Sequence, residues 1–395
     1  MYKSDFPYFS NSDITYLDNG ATTQKPQVVI DAITQFYTHY CSNTHRSSYG
    51  SANKATMEFE NVRKQIQSFI NASSLETIIF TKGVTESINF VADAFVKNEF
   101  DTVIISSLEH HSNIVPWHMQ GRNLHNGLEV VNYDSNLEFD FVHFEQLLQK
   151  NPNSFVSITH VSNAFGKIQD IKKITKIAHK YGAVVMVDGA QSLVHFSVDV
   201  KDLDVDFYCI SGHKTFGPTG IGAIYIKEEY LQKVKPYQTG GATIHEVTFE
   251  KSTLLDSPYK FEAGTQNIAG VIGFGAALSY IEDIGYEKLH NWEVELYEYL
   301  HEQLLNIEDI ELYNDTTNAI GSKSFNIKGI NHDDIGILLD KQKVAIRVGH
   351  HCAQPIMQAL NIKGTIRASI ALYNTKEDID KFIKALNRAI GMLKD

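Results

Sequence analysis

At 395 residues the chain exceeds the size at which a single hydrophobic core stops growing, so two domains, or one large domain with a satellite, are expected. Hydrophobic residues at 43% and charged residues at 21% match ordinary globular usage, which excludes a disordered or low-complexity chain. The net charge of -12, with no Lys- or Arg-rich patch, speaks against a general nucleic-acid binder. No apolar run approaches the roughly 18 residues of a membrane span, and Met1 to Ser10 lacks the apolar stretch of a signal peptide, so no membrane association and a cytoplasmic address are expected. Cys41, Cys209 and Cys352 are too few for a disulfide framework and fit a reducing compartment with at least one free thiol.

In chain order, Val28, Val29, Ala32, Ile33, Phe36 and Tyr40 recur at helical spacing, with Pro26 in the first turn, so a helix is expected between Lys25 and Ser42. From about Ser74 to Ile210, apolar runs at Ile78 to Phe80, Val103 to Ile105, Phe155 to Thr159 and Val184 to Val187 alternate with helical patterns. Such runs read as strands buried on both faces, set parallel by crossover helices. The clearest unit is a helix from Ile171 to Tyr181, stopped at Gly182 and followed by a strand that ends at Asp188. After Gly270 the pattern becomes one long helical stretch, Val271 to about Asn306. Shorter segments follow at Ser324 to Ile327 and Val344 to Val348, with helices at Asp333 to Asp340 and Lys376 to Leu393. The reading is α/β: a large domain over residues 15–280 with a mostly parallel sheet, and a smaller α+β domain over 281–395 on which residues 1–14 are candidates to pack.

Lys214 follows an apolar strand within Phe207-Tyr208-Cys209-Ile210-Ser211-Gly212-His213-Lys214-Thr215, among glycines and hydroxyl residues. Imine formation needs an amine in a dry pocket, and Ser211 and His213 offer donors to a phosphate, so a Schiff-base lysine is the functional reading. A plain loop lysine would be the better reading if this segment stood alone. Asp188 ends a buried strand at the sheet edge where ligands of open α/β folds bind. There it serves either as partner to a pyridinium nitrogen or as a helix N-cap. Phe80-Thr81-Lys82-Gly83-Val84-Thr85-Glu86-Ser87 leads from a strand into a helix expected over Ile88 to Val96. Its N–H groups and the Thr85 hydroxyl suit an anion, although such a turn is more often only a cap.

The pairs His110-His111 and His350-His351 invite a zinc reading. Adjacent histidines seldom converge on one ion and no His-x3-His or Cys-x2-Cys spacing accompanies them, so no metal is expected. Stacking over a cofactor ring is the better use of His110. Cys352 lies in the loop Arg347-Val348-Gly349-His350-His351-Cys352-Ala353-Gln354-Pro355, a setting for a reactive thiol. Cys209, inside an apolar strand, reads as a small buried hydrophobe.

Taken in order, these segments resemble the fold-type I pyridoxal-5'-phosphate (PLP) enzymes of the class V aminotransferase family, and within it the SufS/Csd-type cysteine desulfurases and selenocysteine lyases. The likeness runs over nearly the whole chain. It starts at Tyr16-Leu17-Asp18-Asn19-Gly20-Ala21-Thr22-Thr23-Gln24-Lys25-Pro26 and continues through Glu109-His110-His111-Ser112-Asn113, Asp188-Gly189-Ala190-Gln191, Ser211-Gly212-His213-Lys214 and Phe261-Glu262-Ala263-Gly264-Thr265. It ends with Gly349-His350-His351-Cys352-Ala353, Arg367-Ala368-Ser369 and Tyr373-Asn374-Thr375.

The resemblance implies PLP on Lys214, with His110 stacked on its ring and moving protons, Asp188 at the ring nitrogen and Gln191 at the phenolic oxygen. It places the phosphate among Val84, Thr85, Ser211 and His213. In a homodimer, Thr265 would reach the phosphate of the neighbouring chain. Arg367 and Asn163 match the substrate-carboxylate clamp, with Ala21 and His45 also on the substrate side. Cys352 matches the residue that takes sulfur from L-cysteine as a persulfide, leaving L-alanine. A SufE/SufU-like acceptor protein would then receive the sulfur for iron–sulfur cluster assembly.

Two departures stand out: Val84 replaces a common threonine, and His45-Arg46-Ser47-Ser48-Tyr49 lacks the glycine that usually follows the His-Arg pair. The alternatives are a selenocysteine lyase, a kynureninase-like or epimerase-like member, and, from another class, a non-catalytic sulfur-relay partner. Cys352 weighs against the kynureninase-like and epimerase-like readings. Retention of Lys214, Asp188, His110, Cys352 and Arg367 weighs against the relay partner.

Overall fold

The computed structural model describes residues 2–45, 48–120, 127–134 and 136–394. Seven strands form the main sheet: β1 (Ile78–Thr81), β2 (Thr102–Ser106), β3 (Gly127–Val131), β4 (Ser154–Thr159), β5 (Val184–Asp188), β6 (Phe207–Ser211) and β7 (Gly222–Ile226). Their order is β1-β7-β6-β5-β4-β2-β3. Strands β2 to β6 pair in parallel, as the unbroken apolar runs predict. Strand β7 runs antiparallel to both its neighbours, β6 and β1. The connection 212–221 explains this reversal, because it is shorter than the dozen or so residues a parallel crossover needs.

Alternate residues of these strands feed two hydrophobic cores. Ile104, Val156, Val185, Val187 and Ile210 face one; Val103, Ile105, Phe155, Met186, Cys209 and Ile224 face the other. Each such side chain, fully buried, stabilises the fold by about 1.5–3 kcal/mol. Helices Gln27–His39 and Gly50–Phe69 pack on Ile268–Ile284, which is buried on nearly every side, as an all-round apolar core helix must be.

The single helix expected over Val271 to Asn306 is two helices, Ile268–Ile284 and Tyr286–Leu305, bent by 82°. The break falls at Gly285, whose φ of +82° lies in the left-handed region that glycine enters without steric cost. Among the described residues no single helix is long and apolar enough to cross a membrane.

A second, antiparallel sheet contains β8 (Ile310–Leu312), β9 (Ser322–Ile327), β10 (Arg347–Gly349) and β11 (Thr365–Ser369), in the order β8-β9-β11-β10. The run Val344 to Val348, read above as one segment, divides between two partners: Val344–Ala345 pairs with Thr15–Tyr16, and β10 pairs with β11. At the N-terminus Lys3 bonds Asp378, while Phe6 packs against Phe216, Tyr280 and Tyr373. The helix expected from Ile88 starts earlier, at Val84, and becomes a π-helical turn over Ala92–Val96.

Candidate active site

Because they run parallel, β1, β2, β4, β5 and β6 end on one edge, at Thr81, Ser106, Thr159, Asp188 and Ser211. A cavity of about 570 Å³ opens there, roofed by β10 and β11. Its wall gathers Ala21, Val84, Thr85, His110, Asn163, Asp188, Gln191, Ser211, His213, Lys214 and Arg367. Residues that the sequence spreads over almost 350 positions thus share one pocket, because each follows a strand end or lies on the small sheet.

Lys214 is held below its ordinary basicity, at about 8, by burial, with Arg367 and Arg347 acting in the same direction and Asp188 opposing them. Burial raises the Asp188 carboxyl, against a 2.9 Å hydrogen bond from the Ala190 N–H and the nearby charge of Lys214. His110 is pulled down to about 3 by burial and by the positive charge of Lys214, so it is neutral at physiological pH. Its Nδ1 accepts from the Ser112 N–H at 3.0 Å, which leaves the proton on Nε2. Burial, joined by the positive charges of Lys214 and Lys25, lowers His213 to about 4; its Nδ1 lies 3.2 Å from the Thr22 hydroxyl.

Behind His110 the fully buried Glu109 accepts from Ser106 Oγ at 2.5 Å, Asn113 Nδ2 at 2.7 Å and the Thr159 N–H at 2.9 Å. Burial lifts its carboxyl to about 8 despite these bonds.

The turn after β1 has the shape of an anion cradle. Gly83, at φ +141°, turns the chain into helix Val84–Val91, whose first N–H groups have no partner within the helix. Thr85 Oγ1 lies 2.8 Å from Ser112 Oγ. The side chain of Val84 is packed in a hydrophobic core with Ile88 and Val91, so the valine adds packing where a threonine would add a hydroxyl.

On the opposite wall the buried Arg367 donates from Nη1 to the Asn163 carbonyl at 2.8 Å and from Nη2 to Asp18 Oδ1 at 2.7 Å. Its Nε is buried with no partner among the described residues. Gln191 Nε2 donates to the Gly20 carbonyl at 2.8 Å.

Cys352 is half-buried beside this cavity, following His351 of its wall, and receives a 3.7 Å contact from Arg347 Nη2. Thr265 and His45 are not in the wall of the cavity that holds Lys214. They line a second cavity of about 510 Å³ together with Tyr259 and Glu262. Arg46 and Ser47, in the segment that departs from the family pattern, lie outside the described residues. Cys209 is buried inside β6, as its apolar surroundings predict, and Cys41 is exposed. Sequence reasoning missed Asp18 as the ionic partner of Arg367 and Glu109 as a buried acid; Asp18 carries no local signal, since its partner lies 349 positions away, whereas two of Glu109's partners, Ser106 and Asn113, are near neighbours in the chain.

The pocket fits a phosphorylated pyridine aldehyde group by group. Lys214 offers an amine of lowered basicity, Asp188 a buried carboxylate, His110 a neutral ring, and the Gly83–Thr85 turn backbone donors for a phosphate. That complementarity, on the carboxyl edge of a mostly parallel sheet, defines the class: a fold-type I PLP-dependent enzyme.

A cysteine desulfurase of Synechococcus elongatus is 41% identical over 98% of this chain, which spans 63% of that relative's length. A probable cysteine desulfurase of Halalkalibacterium halodurans is 42% identical over 96% of this chain and 94% of its own. The apo structure of a Thermococcus onnurineus cysteine desulfurase superposes with a TM-score of 0.94 at 36% identity, covering 98% of this chain and 97% of the other. Escherichia coli CsdA gives 0.91 at 37% identity, covering 99% and 98%. The chain belongs to the aminotransferase class-V family, whose pattern it matches over residues 15–382, and within that family to the cysteine desulfurases.

Proposed function

We propose that the protein converts L-cysteine to L-alanine and takes the sulfur onto Cys352 as a persulfide. The carrying observation is a half-buried thiol beside the pocket that holds Lys214, Asp188 and Arg367. PLP, held by Lys214, Asp188, His110 and the Gly83–Thr85 turn, supplies an electron sink for charge developing at the substrate α-carbon.

The chain's own groups do the rest. Arg367, with its unpartnered Nε and a planar guanidinium, suits the substrate carboxylate. Lys214, as a free amine with a basicity near 8, is matched to moving the α-proton at neutral pH. Cys352, as thiolate, attacks the substrate sulfur. The new S–S bond forms as the C–S bond breaks, and that bond's electron pair stays on carbon, which takes a proton and becomes the methyl of alanine. His110 is a neutral N–H group in the cavity wall available for proton transfer.

Further parts of the reading concern partners. A homodimer is supported by the separation of Thr265 and His45 from Lys214, since these residues would then serve the neighbouring subunit. Sedimentation should give twice the chain mass of 44.5 kDa. A SufE/SufU-like acceptor would take the persulfide sulfur toward iron–sulfur clusters, and selenocysteine is the alternative substrate.

The test is to incubate the purified yellow protein with L-cysteine and reductant and to measure alanine and sulfide. Lys214→Ala is expected to lose its colour and all turnover. Cys352→Ala should keep its colour and lose cysteine desulfuration. Undiminished sulfide release from Cys352→Ala would remove the persulfide step.

A further inference from the structure

The peptide unit that leads into Lys214 is held by its oxygen, and donors from one short segment, Thr22 to Lys25, converge on it. The His213 carbonyl accepts from the Thr23 N–H at 3.2 Å, Thr23 Oγ1 at 3.2 Å, Thr22 Oγ1 at 3.1 Å and Lys25 Nζ at 3.1 Å. The atoms from Cα of His213 to Cα of Lys214 lie in one plane, so fixing that oxygen fixes the direction in which the chain enters Lys214.

The same segment grips the chain beyond Lys214. Thr23 Oγ1 accepts from the Phe216 N–H at 3.0 Å. Phe216 is a non-glycine at φ +57°, a left-handed conformation that its surroundings must hold in place. The clasp itself is anchored, since the Gln24 N–H donates to the Tyr373 hydroxyl at 2.9 Å.

Lys25 joins the holding segment to the held one, because its amine donates to the Thr23 carbonyl as well as to the His213 carbonyl. It is not in the wall of the cavity that holds Lys214. Burying an ammonium costs free energy that an apolar side chain in the same place would not, and what it gains here is a tie across this turn.

We propose that Lys25 is a positioning residue for Lys214: by tying the Thr23 and His213 carbonyls together, it fixes the turn Gly212–Lys214 and with it the place of the Lys214 amine relative to the substrate α-carbon. This rests on the assignment of Lys214 to the cofactor and the α-proton above, and deepens it. Lys25→Met keeps the length of the side chain and removes the tie. Substrate capture, which falls to Arg367, and movement of the α-proton, which falls to Lys214, should therefore separate.

The experiment compares the holoenzymes of wild type, Lys25→Met and Lys25→Arg in three measurements. Amide hydrogen exchange over residues 212–217 reads the turn itself. Spectral titration with L-alanine reads substrate capture. Loss of the alanine α-hydrogen to deuterated water reads the Lys214 amine, with no sulfur involved. Lys25→Met is expected to speed amide exchange in that segment and to bind alanine within about threefold of wild type. It should exchange the α-hydrogen roughly 10- to 100-fold more slowly, the scale of loss for a reacting group displaced by about 1 Å.

Lys25→Arg, which keeps a charged donor, should recover part of the rate. Thr23→Val serves as the second test if the methionine variant folds poorly: it keeps the size and the buried charge, loses the hydroxyl shared by the His213 carbonyl and the Phe216 N–H, and should show the same split. An unchanged rate of α-hydrogen exchange, or equal losses in alanine binding and exchange, overturns the inference. If Lys214→Ala still exchanges the α-hydrogen at the wild-type rate, the assignment of Lys214 fails instead.

Discussion

Replacing Arg367 by lysine keeps the charge and removes the fork, so it isolates what the planar group contributes. In the structure the guanidinium holds the Asn163 carbonyl at 2.8 Å and Asp18 at 2.7 Å and still has a buried Nε without a partner. One ammonium on a shorter reach cannot keep both ties and also address a carboxylate. Losing one charge-assisted hydrogen bond costs about 1.5–3 kcal/mol, which at 1.4 kcal/mol per decade is roughly a 10- to 150-fold loss of kcat/KM. The substrate carboxylate keeps its charge throughout the reaction, so the loss should appear mainly as a raised KM with kcat less affected. Alanine production measured across cysteine concentrations for wild type and Arg367→Lys gives both constants. An unchanged KM accompanied by a collapsed kcat would refute the assignment of Arg367 to carboxylate binding.

Other consequences follow from the same geometry. A Cβ added at Gly20 would lie 3.0 Å from Arg367 Cζ and from Ser322 Oγ, so Gly20→Ala should displace the guanidinium and raise KM for cysteine, again read from steady-state kinetics. Only a neutral amine forms an imine, and Lys214 is held at about 8. Apoprotein should therefore take up PLP faster as pH rises toward about 8 and level off above it; a flat profile between about pH 6 and 9 would contradict this. Glu109 is raised from its ordinary 4.5 to about 8, so the folded state binds that proton more tightly than the unfolded state. Its contribution to stability is fully present below about 4.5 and is lost as pH rises through about 8. Thermal melts of Glu109→Gln should show a weaker fall in stability over that window, and an identical pH slope in variant and wild type would count against it.

Much of the site was legible because its chemistry sits in short contiguous segments at strand ends. Lys214 after β6, Asp188 closing β5 and the Gly83–Thr85 turn after β1 could each be placed by reading where an apolar run stops. What stayed hidden depends on residues far apart meeting in space. The Asp18–Arg367 ion pair joins the N-terminal segment to β11, and the grip of Asn163 on the His351 carbonyl spans 188 positions. The reversal of β7 stayed hidden as well, because Gly222 to Ile226 is not among the runs read as strands above, so the short connection 212–221 that dictates its direction had no second strand to point to. The break at Gly285 was overlooked because helical periodicity continues on both sides of it, while the change in axis is a matter of one φ angle. Val344 to Val348 misled for a related reason: continuous β-type residues do not reveal that their two halves pair with different strands.

The central claim is that Lys214 carries the cofactor, and reduction of the native yellow protein with borohydride tests it most directly, because it freezes the imine onto whichever amine formed it. Peptide mass mapping should then find a single pyridoxyl group, on Lys214. Labelling elsewhere, for instance on Lys25, another partly buried amine lowered to about 8, or no labelling at all, would contradict the account.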